Sequence, residues 1–471
     1  MIVMKFGGTS MGTGARMRQQ VAPLIHQAIE KGLKPVVVVS AMTGVTNQLL
    51  ALAERAQNQQ ENGPTQEWLD ALIEHHRAAV GEAFDECALQ SQTVEEIENE
   101  IHKLLPVLQA IHTLEEFSSR SQDMVLALGE KLGALLLSRI LESQGVRSEN
   151  VNLETVVPAS ISYQSDAYWT EVERCFRERL DRVAPRTVPV LTGFFGSMPQ
   201  GILNAVGRGY SDFCASLAGA AVGAEEIQIW TDVDGVLSTN PNLVPDAFIL
   251  EQISFDEMAE LSHFGAKVLH PHSVRPALQA GIPIRILNTF NPEAVGTLVT
   301  QSKHSTPYPF KSIAYKKGVT LIRIESPQML MAYGYIGQVG ALFAKHKISI
   351  DLITTSELTV SLSVDESPDQ IQPLLEDLKN LGQVDLQPAQ SIISMVGTEM
   401  QEECHIHGRI FDTLNEHRIP IHMASIGNKL INLTVVVDDQ ECDRAVTLLH
   451  QEFFSAPQKT TPWRHGSRLL A

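Results

Sequence analysis

Cationic side chains are scarce in this chain. Lys and Arg number 36 against 55 Asp and Glu, a formal charge of −19. That balance repels nucleic acid and anionic membranes, and any anion site must gather its few cations locally. Cysteine is scarcer still. Cys87, Cys175, Cys214, Cys404 and Cys442 are odd in number, widely spaced and form no C-x-x-C pair. This argues against a disulfide framework or a zinc site and for reduced thiols. No apolar run approaches the length of a membrane span. Residues 1–6 lack a basic n-region, a cleavage site and Ser/Arg-rich transit character, so the expected location is the cytoplasm. What is present is a hydrophobic fraction of 44%, a soluble globular composition. The 471 residues suggest about three domains at ~150 residues each.

Residues 1–300 alternate short β-branched runs (2–6, 35–40, 188–192, 227–231, 283–288) with helical stretches such as 124–141 and 211–222. Several runs are apolar throughout, as strands covered on both faces are. The alternation predicts a three-layer α/β domain with a mostly parallel sheet. A Gln/Glu-rich stretch over about 55–120 reads as a helical insertion. The polar segment 301–312, with two prolines, reads as a linker.

Beyond it the chain repeats. Gly337, His346, Ile348, Ile350, Leu362 and Val364 match Gly408, His417, Ile419, Ile421, Leu433 and Val435 at one offset. Two small α+β modules are therefore expected, at 313–387 and 388–455, followed by a tail at 456–471.

Four strand ends carry chemistry. KFGGTS at 5–10 joins a strand to a helix, where glycines let backbone N–H groups approach phosphate and Lys5 adds a point charge. An ordinary strand–helix turn is equally compatible, and the lysine precedes the glycines, unlike a P-loop. A small-polar loop follows the strand at 35–40, where ligands of an open α/β sheet sit, and a Ser/Thr helix cap is equally compatible. In GRGYSD at 207–212, an arginine between glycines can grip a carboxylate bidentately, while Asp212 suits a helix's first turn. Asp232 and Asp234 could bind Mg²⁺ or form an Asp-Gly turn. His263, His270 and His272 have only loose metal-like spacing. Glu130, taken alone, is a glutamate near a helix start.

Taken in order, KFGGTS at 5–10, VSAMTGVTN at 39–47, GEKLGALLL at 129–137, TGFFGS at 192–197, GRGYSD at 207–212, WTDVDGV at 230–236 and FGAKVLHP at 264–271 resemble the aspartate kinase family of the amino-acid-kinase superfamily. The resemblance covers nearly the whole chain, and the repeat resembles that family's tandem ACT domains, which are amino-acid sensors. It implies phosphoryl transfer from ATP, with Mg²⁺, to the β-carboxylate of L-aspartate, the first step of lysine, threonine and methionine biosynthesis. It implies catalytic roles for Lys5 and Asp212. Lys5, Gly7, Gly8, Thr9, Thr231, Asp232 and Lys267 fall at ATP positions, and Ser40, Thr46, Glu130, Arg208 and Ser211 at aspartate positions. Glu130 would hold the α-ammonium and Arg208 a carboxylate. No protein side chain is assigned to metal. Met329, Tyr335, Ile336, Asp351, Thr355, Ser356 and Glu357 match effector positions for lysine or threonine. A homodimer or larger homo-oligomer is expected, since ACT modules pair.

Three positions depart from the family pattern. Tyr210 stands where a glycine is commonest, although tyrosine occurs in some branches. Leu237 and Asn242 replace a tyrosine and an arginine near the nucleotide, so weaker ATP binding or a different nucleotide pose is expected. Those two motivate an alternative, a catalytically weak homologue acting as a sensor or regulatory subunit.

Overall fold

The computed structural model describes residues 1–58, 63–154, 156, 166–196, 198, 201–207, 209–264, 269, 271–330, 333–401, 405–427 and 431–454. They form two compact units. One holds Met1–Val236, Ile249–Ala259 and the chain up to Ser302. The other holds Leu237–Phe248, a short piece beginning at Glu260, and the chain from Lys303 onward.

The first unit is built on eight strands: β1 (Ile2–Phe6), β2 (Pro35–Val39), β3 (Ser148–Val151), β4 (Val188–Thr192), β5 (Glu226–Thr231), β6 (Gln252–Ser254), β7 (Ile284–Asn288) and β8 (Thr297–Thr300). Their order is β3-β4-β2-β1-β5-β7-β8-β6. Every pairing is parallel except β7 with β8. β1, β2 and β4 are buried at every residue, which is why they read as continuous apolar runs. β3 and β6 sit at the sheet's edges and β8 beside β6. These are short and partly polar, so apolar patterning did not reveal them. The 55–120 region is helical among its described residues, with Asp70–Ala83, Cys87–His102 and Leu105–Leu114.

Two helices shape the end of the sheet where β1, β2 and β5 finish. The Ser119–Ser143 helix is long and largely buried. The Tyr210–Val222 helix is rich in Ala, Gly and Ser and is buried on nearly every face. Its small residues permit close packing, and Gly223 ends it in the left-handed conformation that glycine adopts without steric cost.

The second unit is one antiparallel sheet, of β9 (Ser312–Glu325), β10 (Leu352–Thr355), β11 (Thr359–Val364), β12 (Gln383–Val396), β13 (Met423–Ile426) and β14 (Asn432–Asp438), in the order β10-β11-β9-β12-β14-β13. β9 and β12 pair along their length, with register breaks between Gln387 and Ile392. Each of the two strands serves two cores. One core gathers Ile322, Ile324, Val360 and Leu362 under the Tyr335–His346 and Gln372–Leu378 helices. The other gathers Ile313, Ile393, Leu433 and Val435 under the His405–Glu416 and Asp439–Phe454 helices. Repeat-related residues take equivalent places, Leu362 in β11 and Leu433 in β14, both fully buried. The start of β9 (Ser312 to Lys316) pairs with the end of β12, so the first strand of the unit completes the second module. The segment Leu237–Phe248 joins this core through Val244. Thr239 donates to the Ile313 carbonyl at 2.9 Å and Asn240 to the Tyr315 hydroxyl at 2.9 Å. Among the described residues no helix is long and apolar enough to cross a membrane.

Candidate active site

In a parallel sheet, ligands sit beyond the carboxyl ends of the strands. Lys5 lies one residue before the end of β1, and the chain then turns through Gly7 and Gly8. The Gly7 N–H donates to the Trp230 carbonyl at 3.1 Å, and Thr43 donates to the Gly8 carbonyl at 2.9 Å. Ser10 bonds the Trp230 carbonyl at 3.2 Å and the Thr289 hydroxyl at 2.7 Å. The loop is thus stitched to the tips of β5 and β7. Thr9 is exposed, with its carbonyl accepting from Arg16 at 3.1 Å.

Three consecutive residues of the first turn of the Tyr210–Val222 helix reach three different elements. The Tyr210 hydroxyl donates to Glu130 Oε1 at 2.6 Å. Ser211 Oγ is 2.8 Å from Ser40 Oγ at the end of β2. Asp212 Oδ1 is 2.5 Å from Lys5 Nζ. Ser273 holds this turn in place, donating to the Gly209 carbonyl at 3.0 Å while its own carbonyl accepts from Ser216 at 2.6 Å.

Glycines allow this convergence by their lack of a side chain. A Cβ at Gly193 would stand 2.5 Å from the Val39 carbonyl oxygen and 2.7 Å from Ser211 Cβ. Cβ atoms at Gly129 and Gly133, one helical turn apart, would stand 2.8 Å from Ala41 Cβ and 2.9 Å from the Ser40 carbonyl oxygen. The Ser119–Ser143 helix therefore presses against the loop after β2 and carries Glu130 beneath it. Glu130 is 2% exposed. Burial pushes its carboxyl up to about 7, against the pull of the Tyr210 hydroxyl, neighbouring backbone groups and Lys5. Among the described residues its Oε2 is buried without a hydrogen-bond partner.

The structure brings together Lys5, Gly7, Gly8, Ser40, Glu130, Ser211 and Asp212. Thr231 and Asp232 stand at the tip of β5, which pairs with β1. The Thr231 hydroxyl donates to Asp232 at 3.2 Å, and Asp232 is exposed. Asp234 is occupied by the Asn288 and Asn291 amides at 2.7 and 3.1 Å. Thr46 is half-buried in the first turn of the Val45–Asn58 helix. Arg208 and Lys267 lie outside the described residues, as does His270 of the loose histidine set. Among the described residues no three His, Cys, Asp or Glu side chains cluster to hold a metal.

Two further residues of this region have no functional signal in the sequence. Tyr210 stands out there only as a departure from the family pattern. Asp123 is fully buried and accepts from the N–H groups of Met198 and Ile202 at 2.9 and 2.8 Å, tying down the chain after β4. Burial raises its carboxyl. No local signal marks it, because its partners lie 75 and 79 residues away. A cavity of about 920 Å³ lies at the opposite, amino end of the strands, against Lys34, Pro35, Arg147 and Val188, and contains none of the candidates.

Comparison with known proteins decides the family. The amino acid kinase family model matches residues 1–288, and an ACT domain model matches residues 393–453. The aspartokinase of Candida albicans is 32% identical over 95% of this chain and 89% of its own length. That of Saccharomyces cerevisiae is 31% identical over 98% of this chain and 94% of its own. The chain belongs to the aspartate kinase family. Escherichia coli aspartokinase III, solved in complex with aspartate and ADP, superposes with a TM-score of 0.78 at 29% identity, covering 96% of this chain and all of that one. The same protein has been solved with lysine and aspartate, at a TM-score of 0.77 and 29% identity.

The residues expected at effector positions all lie in the second unit, and the structure treats them differently. Tyr335 is buried, its hydroxyl donating to the Leu381 carbonyl at 3.0 Å. Met329 packs on the same core. Asp351 accepts from Lys316 at 3.2 Å, and Lys316 also pairs with Asp365. Burial raises the Asp351 carboxyl against the pull of Lys316. Ser356 accepts from the Leu358 and Thr359 N–H groups and closes the turn between β10 and β11. Ile336, Thr355 and Glu357 are exposed. Leu237 is half-buried, its carbonyl accepting from Ser312, and Asn242 is exposed with its N–H on the Asn240 side chain.

Proposed function

We propose that this aspartate kinase transfers the γ-phosphoryl group of ATP to the β-carboxylate of L-aspartate, giving β-aspartyl phosphate. The observation that carries the reading is the convergence of Lys5, Ser40 and Glu130 on residues 210–212 at the carboxyl ends of the strands. A β-carboxylate with a reference pKa of ~3.9 is already an anion at neutral pH, so no base is needed. The barrier lies in bringing two anions together and in stabilising charge on the moving phosphoryl group.

Each candidate has a place in that chemistry. Lys5, held by Asp212 over the Gly7–Gly8 turn, meets the transferring phosphoryl group. Gly7, Gly8 and Thr9 offer backbone N–H groups to phosphate oxygens. Thr231, Asp232 and Lys267 serve the nucleotide. Glu130 takes the α-ammonium through Oε2, Arg208 takes a carboxylate, and Ser40, Thr46 and Ser211 complete the aspartate subsite. Mg²⁺, carried on the nucleotide phosphates, would neutralise charge between them. The reaction would take place in the cytoplasm and open the route to lysine, threonine and methionine.

Regulation follows by the same reasoning. Lysine or threonine would bind at the first module, near Ile336, Thr355 and Glu357, in a homodimer or larger assembly. Engaging Asp351 or Ser356 requires the effector to displace their present partners. The test is ADP release with aspartate, glutamate or acetylglutamate as acceptor, with and without lysine and threonine. Turnover with aspartate alone supports the reading. No turnover with aspartate would instead favour a regulatory homologue.

A further inference from the structure

We propose that Tyr210 is a positioning residue for the aspartate subsite, its hydroxyl engaging Glu130 Oε1 so that Oε2 is left for the substrate's α-ammonium. This rests on the reading of Glu130 as the ammonium partner. Tyr210 is 4% exposed and Glu130 2%, and 2.6 Å separates their oxygens. The ring is held edge-on to Phe194, with centroids 6.2 Å apart. Carboxylate, hydroxyl and ring thus form one rigid assembly.

Chemistry favours a donor here. A carboxylate buried with one oxygen unpaired is costly as an anion, yet it must be an anion to hold an ammonium. Among the described residues, Glu130 is faced by backbone groups at Ala41 and at Glu130 itself and by the side chains of Tyr210, Lys5 and Cys214. Lys5 is committed to Asp212. Cys214 is pushed far up by burial and by Glu130 itself, so it stays a neutral thiol. Tyr210 is pushed well above its ordinary value, chiefly by burial and then by Glu130, and also by Asp123, so it remains a donor at every working pH. The hydroxyl is therefore a neutral, permanently protonated side chain that, together with the backbone groups, favours the ionised form of Glu130. Burial places Glu130 at about 7 even with this help, so aspartate capture weakens as pH falls through neutrality.

The experiment is steady-state kinetics with varied aspartate from pH 6 to 8.5, on wild type, Tyr210→Phe, Glu130→Gln and the double variant. Phenylalanine keeps the ring and its packing and removes only the donor. Tyr210→Phe is expected to raise the aspartate KM about tenfold at pH 7 with kcat nearly unchanged, as for one lost hydrogen bond to a charge. It should also move the acidic limb of kcat/KM up by about one pH unit. In the Glu130→Gln background, which has no carboxylate to hold, Tyr210→Phe should add nothing. An unmoved limb, or the same loss in both backgrounds, overturns the positioning role while leaving the Glu130 reading intact. A Glu130→Gln enzyme with wild-type aspartate KM overturns that underlying reading instead.

Discussion

Lys5 Nζ and Asp212 Oδ1 lie 2.5 Å apart, with side chains 8% and 15% exposed. A lysine so withdrawn from water needs its counter-charge, and the partner comes from 207 positions further along the chain. The pair fixes the ammonium beside the glycine turn, where the proposed function puts the nucleotide's phosphates. That is the preorganisation that stabilises developing charge most effectively.

Lys5→Ala should therefore lower kcat by ~10²-fold or more, the size of one lost transition-state donor, with a smaller effect on the ATP KM. Asp212→Asn should also lower kcat, because it leaves the ammonium without its anchor. Single-turnover measurement of ADP formation checks both. Near-normal turnover in Lys5→Ala would remove it from the transfer step.

Glu130 has a stability signature separate from its kinetics. Its folded-state value, pushed by burial to about 7, is raised above that of the unfolded chain. Between the two values the folded protein binds the extra proton, so this residue's contribution falls as pH rises and its full cost is present above pH 7. Glu130→Gln should melt higher than wild type at pH 8 and nearly level with it at pH 5. Aspartate should narrow the difference at pH 8. Equal melting differences at both pH values would show that Glu130 does not titrate in this range.

Gly193→Ala should disturb the proposed aspartate subsite through the backbone. The new methyl would meet the Val39 carbonyl at 2.5 Å and Ser211 Cβ at 2.7 Å, so Ser211 must move away from Ser40. A cost of about 1–3 kcal/mol is ordinary for such overpacking. The aspartate KM should rise along with a loss of thermal stability. An unaltered KM in a stable variant would mean that the Ser40–Ser211 contact does not shape the subsite.

Thr355→Met tests the proposed regulatory site. Thr355 is exposed on the edge strand β10, so the larger side chain is tolerated by the fold. Inhibition by lysine or threonine should weaken while uninhibited turnover stays near wild type. A loss of ~1–3 kcal/mol of coupling would be ordinary. Inhibition curves for both amino acids decide it, and an equally sensitive variant places the effector elsewhere.

What the sequence disclosed and what it withheld follow from distance along the chain. β1, β2 and β4 are largely apolar runs, and β5 (EIQIWT) and β7 (IRILN) are rich in isoleucine, so their own residues declare them. β3 (SENV) and β6 (QIS) acquire strand identity only from neighbours already in place. Lys5 with its glycines is a local pattern. Its bond to Asp212, the Tyr210–Glu130 bond across 80 residues and the Asp123 contacts are products of tertiary folding. The repeat was visible because helix and strand recur at one spacing. The service of β9 to both modules was not, since pairing of residues 312–316 with 392–396 leaves no periodic trace.

That sharing of β9 and β12 sets a rule for anyone cutting or grafting this chain. A fragment beginning near residue 388 would carry the helices and most strands of the second module but lose the pairing that Ser312 to Lys316 provide. Ile392, Ile393, Met395 and Val396 would then line a bare sheet edge, which recruits other chains. A chimera that exchanges the first module alone must join the foreign piece at two points, one inside each long strand. A transplant of the second module must bring residues 312–316 along as a separate segment.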